Sequence, residues 1–183
     1  MARGQPIASE GGHADFAPRT DVEIDLFRHL RDKFNGHVSY ERVLSGPGLF
    51  NIYTYFRDSG HAPEPPWLAD KLAKGDPGSI VSQMAMEDKD ANCTAALDLF
   101  ASLYGAEAGN LALKALAMGG VFIAGGIAPK ILPALTQNDA FLRGFFAKGR
   151  FTDLMKNLHV SVALNPKAPL MGAGFYASDH RDG

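Results

Sequence analysis

The chain is poor in the residues that staple small secreted folds or build metal clusters, with one cysteine, Cys93, among 183 residues. A lone thiol excludes an internal disulfide and any zinc site built on several cysteines, and it fits a reducing compartment. Neither sign of charge dominates: 18 Lys and Arg stand against 20 Asp and Glu, for a net charge of −2. That balance gives no electrostatic footing for nucleic acid or an anionic membrane. No apolar run reaches the roughly 18 residues of a membrane span, and the opening "MARGQPIAS" lacks the apolar h-region of a signal peptide. There is one tryptophan, Trp67, and no internal repeat, low-complexity tract or charge block. The expectation is a soluble, cytoplasmic protein with neither nucleic acid nor membrane as partner.

What is present reads as one mostly helical domain, with 46% apolar residues. Thr20 and Glu23 make a capping-box pattern ahead of Ile24, Phe27, Leu30 and Phe34 at helical spacing, with Gly36 as the stop. "SGPG" at Ser45–Gly48 breaks a short helix carrying Glu41 and starts a new one near Gly48, with Pro47 at its first turn. Residues 58–78 are rich in proline and glycine and predict mostly loop. Asp76 caps one further helix, and another begins near Asp90, alanine-rich, open to close packing by a neighbour, and extending toward Met118. Beyond it, "GGVFIAGG" predicts a buried strand, "IAPKILPALT" a helix, "NDAFLRGFF" and "FTDLMKNL" two short helices, "HVSVALN" a strand and "APLMGAGFYAS" a closing helix. Strand, helices, strand gives a small parallel βαβ unit, hence an α/β class.

Three stretches carry chemistry. "SEGGHADF" sets Glu10 and His13 around two glycines. An ionised carboxylate accepts hydrogen bonds from neighbouring hydroxyls, and a neutral imidazole donates at one nitrogen and accepts at the other. Vicinal sugar hydroxyls suit that pair, while the plainer alternative is a solvated polar loop. Glu41, just before the "SGPG" break, is a second acid of interest, and the plainer reading of it is a solvated first-turn acid favoured by the helix dipole. Gly125 and Gly126 follow the first strand, where a turn lets a ligand approach the backbone at a helix N-terminus; the alternative is a tight strand-to-helix turn. Asn138 and Asp139 read as a helix cap. His29, His37, His61, His159 and His180 show no metal-ligand spacing, so no metal site is assigned.

Taken in order, "SEGGHADFAP", "HVSYERVLSGPGLFNIY", "GNLAL", "GGVFIAGGIAPKIL", "FxxKGRF" from Phe145 and the terminal "GAGFYA" resemble bacterial glucokinases of the hexokinase-like, non-zinc family. The resemblance runs from about Ile7 to Ala177. It implies a partial actin-like, ribonuclease-H-like ATPase domain, ATP-dependent phosphorylation of glucose, and ATP with magnesium as the phosphate source. Residue by residue, it implies glucose ligands at Glu10, His13 and Glu41 and an adenosine side at Gly125 and Gly126. The family's "DxGGTN" and "GTGLG" phosphate loops and its "NDF" aspartate, the general base, have no counterpart here. The expectation is therefore that residues 1–183 form a single partial domain, the C-terminal portion of a glucokinase large domain, inactive alone. A homodimer or a complementing N-terminal half is the expected partner. A non-catalytic sugar-binding or interaction module is the main alternative. A glycosidase using Glu10 and Glu41 as paired carboxylates is a weaker one.

Overall fold

The computed structural model describes residues 7–179. A short 3₁₀ turn, Gly11–His13, leads into α1 (Asp21–Lys33), and a second, Tyr40–Arg42, leads into α2 (Gly46–Asp58). Then come α3 (Pro66–Lys74), α4 (Pro77–Met86) and the long α5 (Ala91–Ala115). The last third runs β1 (Val121–Ile123), α6 (Leu132–Thr136), α7 (Ala140–Phe146), α8 (Thr152–Lys156), β2 (Val160–Val162) and α9 (Ala168–Asp179). No described helix is long and apolar enough to cross a membrane.

Side-chain caps fix the starts of α1, α2, α4 and α5. The hydroxyl of Thr20 accepts from the Glu23 N–H, that of Ser45 from Gly48, and the carboxylates of Asp76 and Asp90 accept from Ser79 and Cys93. The expected capping box at α1 is only half formed. The Glu23 carboxylate is 1% exposed and reaches back to Arg19 instead, accepting its backbone N–H at 2.6 Å and its guanidinium Nε at 3.1 Å. Arg19 also donates to the Ser102 hydroxyl at 3.0 Å, which ties the start of α1 to α5.

α5 is the axis of the core. It packs on α2, α4 and α7 through a surface that includes Cys93, Ala96, Leu97, Phe100, Leu103 and Ala112, all buried. The neighbour that alanine richness anticipates is α7. A Cβ on Gly105 would strike the Phe141 carbonyl, and one on Gly144 the Ser102 carbonyl, so the two backbones lie in direct contact.

β1 and β2 pair in parallel, Val121 opposite Val160 and Ile123 opposite Val162, with α6, α7 and α8 between them in the chain. This is the expected βαβ unit. β1 is not the buried strand expected: only Ile123 is buried and Phe122 is exposed. Two further expectations fail. Residues 58–78 are not mostly loop: Pro65 and Pro66 sit at the N-cap and first turn of α3, where a missing N–H costs nothing, and Leu68 and Leu72 anchor it in the core. "IAPKILPALT" is helical only from Leu132, because the chain before Pro133 folds as tight turns. α9 forms despite Gly172 and Gly174, and its Leu170, Met171 and Phe175 stand exposed, as does Phe122 of β1.

Candidate functional site

The first two 3₁₀ turns are brought side by side by main-chain pairing. Phe16 N–H donates to the Val38 carbonyl at 2.9 Å and Tyr40 N–H to the Ala14 carbonyl at 3.0 Å, with Asp15 bridging Ser39. The Gly11–His13 turn closes on Glu10, whose carbonyl accepts the His13 N–H at 2.9 Å, while the Ser9 hydroxyl accepts the Gly11 N–H at 3.0 Å. This pairing puts the His13 Nε2 3.3 Å from the Glu41 Oε2, with the side chains 65% and 57% exposed. So exposed a pair contributes little to stability. What it provides is a donor-acceptor couple held open to solvent.

Two cavities meet at Glu41. One, of about 620 Å³, is lined by His13, His37, Ser39, Glu41, Arg42 and Asn51 among others. The other, of about 370 Å³, lies against Ser9, Gly11, Gly12, Tyr40, Glu41 and Glu107. Both fall within the roughly 300–1,000 Å³ typical of small-molecule sites. Of the three expected sugar ligands, His13 and Glu41 share the larger cavity. Glu10 heads the adjoining turn with its side chain exposed and lines neither.

The "SGPG" break is more than an interruption between helices. Ser45 donates to the Glu41 carbonyl at 2.7 Å, so the residue that caps α2 also fixes the Glu41 backbone. A Cβ on Gly48 would stand 2.6 Å from the Val43 carbonyl carbon, which requires glycine there.

Gly125 and Gly126 follow β1 as expected, with Gly125 at φ 111° and open space above both α-carbons. They do not open a helix: α6 begins at Leu132 and has five residues. The expected helix N-terminus is therefore not beside them, and what they offer a ligand is approachable backbone. The next residues, Ile127, Lys130 and Ile131, join Ser45, Asp76 and Ser79 around a third cavity of about 130 Å³. Ser45, at the start of α2, lines both this cavity and the one of about 620 Å³, whereas Gly125 and Gly126 line neither. Asn138 stands one residue before the α7 N-cap, its Oδ1 accepting the Ala140 N–H at 3.3 Å and its Nδ2 donating to Asp98 at 2.5 Å. Asp139 makes no side-chain cap bond.

Sequence reasoning missed the residues beneath Glu41. The Tyr40 ring is buried, and its hydroxyl accepts from Asn110 Nδ2 at 3.1 Å. The same amide donates to Glu107 at 2.9 Å, and its Oδ1 accepts from Lys148 Nζ at 2.6 Å. Burial, with the Glu107 carboxylate next, pushes the Tyr40 hydroxyl up to about 12. Burial, with Arg19 next, pulls Lys148 below the usual lysine range. Asn110 and Lys148 lie in "GNLAL" and "FxxKGRF", strings that carried resemblance without a role.

A family model described as Glucokinase matches residues 1–180. The chain belongs to the glucokinase family. Glucokinase of Nostoc punctiforme is 45% identical over 186 residues, covering 95% of this chain and 54% of the relative. Glucokinase of Synechocystis is 43% identical over 190 residues, covering 97% and 53%. The chain thus spans about half the length of these glucokinases. Among solved structures, a glucokinase from an Antarctic psychrotroph superposes with TM-score 0.78 at 30% identity, over 94% of this chain and 50% of that one. A glucokinase from Balamuthia mandrillaris, crystallised with glucose, shares the fold at TM-score 0.73 and 20% identity, over 87% and 44%.

Proposed function

We propose that this chain carries the hexose grip of an ATP-dependent glucose kinase. In this reading His13 and Glu41 hydrogen-bond ring hydroxyls, and Glu10 closes on the sugar from the adjoining turn. The observation that carries it is the 3.3 Å approach of His13 to Glu41 at the rim of a shared cavity. The nucleotide, when bound, supplies the phosphoryl group together with its magnesium. Gly125 and Gly126, unobstructed above the backbone, take its adenosine side. A cytoplasmic setting agrees with one buried thiol, Cys93.

In the same reading, residues 1–183 are one partial domain, and the 183-residue chain alone does not turn over. Phosphoryl transfer rests on positioning and charge neutralisation, and a positioned base contributes about 10²–10⁴-fold. The one Asn-Asp pair resembling the family's base string is committed elsewhere, Asn138 to Asp98 and to the start of α7. A second chain, either a complementing half or another copy, covers the apolar side chains left open on β1 and α9.

Two measurements test this. Calorimetric titration with glucose should show saturable binding that Glu10→Ala weakens. A coupled assay with glucose and Mg-ATP should show no turnover by the chain alone. No binding removes the sugar grip; robust turnover removes the need for a partner. Binding that persists when a complementing half restores no turnover favours a non-catalytic sugar-binding module.

A further inference from the structure

Three strings far apart in sequence converge beneath Glu41. Tyr40 comes from the turn that bears Glu41, Asn110 from the last third of α5, and Lys148 from the loop after α7. Their side chains form one chain of hydrogen bonds. Lys148 Nζ donates to the Ala106 carbonyl at 2.8 Å and to Asn110 Oδ1 at 2.6 Å, and Asn110 Nδ2 donates to the Tyr40 hydroxyl at 3.1 Å. Lys148 lies across α5 at Gly109, where an added Cβ would stand 2.7 Å from the Lys148 Cε and 2.7 Å from the Phe145 carbonyl oxygen. Both amide groups of Asn110 are thereby engaged, which fixes its orientation.

The Tyr40 main chain is tied as firmly. Its N–H donates to the Ala14 carbonyl, and its carbonyl accepts from Val43 at 3.0 Å and Leu44 at 2.7 Å. On the far side of Glu41, the Ser45 hydroxyl holds the Glu41 carbonyl. An exposed glutamate is therefore mounted between a buried, hydrogen-bonded tyrosine and a capping serine. Fixed supports of this kind hold a binding side chain in place so that ordering it is not charged against affinity.

We propose that Tyr40, oriented by Asn110 and Lys148, is a positioning residue that sets the Glu41 carboxylate against His13 for hexose binding. The proposal rests on the sugar-grip reading above. Its geometric half stands apart from that reading, because the His13–Glu41 approach exists without ligand.

The test is a double-mutant cycle of Tyr40→Phe with Glu41→Gln, read by glucose calorimetry, alongside NMR of the ligand-free chain. Losing one such hydrogen bond should weaken glucose binding about fivefold in the parent chain and leave affinity unchanged in the Glu41→Gln background. Equal losses in both backgrounds, or no loss in the parent, overturn the proposal. In the ligand-free chain, the Overhauser contact between the Glu41 methylenes and the His13 ring should weaken in Tyr40→Phe, with α5 resonances moving only around Glu107 and Asn110 and the first half of α5 unmoved. Retention of that contact overturns the positioning role whether or not glucose binds. A chain that never binds glucose but loses the contact refutes the sugar grip and leaves the positioning intact. Should Tyr40→Phe not fold, Lys148→Met, which keeps an apolar stem across Gly109, is read in the same two ways.

Discussion

Replacing Glu41 by glutamine separates recognition from folding, because the structure assigns the two very different costs. The side chain is more than half exposed and its close partner, the His13 imidazole, is open as well. Exposed pairs contribute about 0–1 kcal/mol, so the variant should melt within a few degrees of the parent. The isosteric amide keeps the shape but replaces an acceptor-only carboxylate by a group that must donate from one end. A hydrogen bond to a charged group contributes about 1.5–3 kcal/mol, which converts to roughly 10–150-fold in affinity. Titrating glucose into both chains by calorimetry, with unfolding followed by circular dichroism, reads both quantities. Unchanged affinity at unchanged stability would refute Glu41 as a sugar ligand. A collapse in stability would refute its description as an open, non-structural carboxylate.

Three further predictions concern the scaffold. Gly144→Ala drives a methyl into the Ser102 carbonyl where α7 crosses α5, and overpacking of this kind costs about 1–3 kcal/mol, readable as a lower urea midpoint at unchanged slope. Glu23→Ala strips a buried carboxylate from Arg19; breaking a buried pair costs about 3–5 kcal/mol, and because Arg19 keeps some solvent the loss should fall at the lower end. For Tyr40, the folded value of about 12 lies above the ordinary 10, so its contribution is whole below about pH 10 and lost as pH rises toward 12. Tyr40→Phe should flatten that part of the stability profile, and an unchanged slope would contradict the burial of this hydroxyl.

Much of the scaffold is legible in the sequence because short-range chemistry writes it there. Thr20 and Asp76 cap where the sequence reading puts them, and β1 and β2 appear where short apolar runs are bounded by glycine or polar turns. The failures are equally physical. Proline density disguised α3, since Pro65 and Pro66 read as loop until their place at a helix start is seen. Glu23 looked like half of a capping box, but the choice between Thr20 and Arg19 as its partner is decided by packing against α5. Of the site, the nearness of His13 to Glu41 is implied only by family resemblance, because the strand-like bridge of Asp15 with Ser39 that creates it has no local signature. The Tyr40–Asn110–Lys148 chain was invisible, since its members lie 70 and 38 residues apart.

The central claim is that the Gly11–His13 and Tyr40–Arg42 turns together form a hexose grip. Mapping amide and side-chain NMR shifts of the full 183-residue chain during a glucose titration tests it most directly. Perturbations should gather at Ser9–His13, at His13 and Glu41 side chains, and at Tyr40–Arg42, with Gly125 and Gly126 unmoved. Saturable shifts confined to the Gly125 side, or no shifts at any glucose concentration, would contradict it.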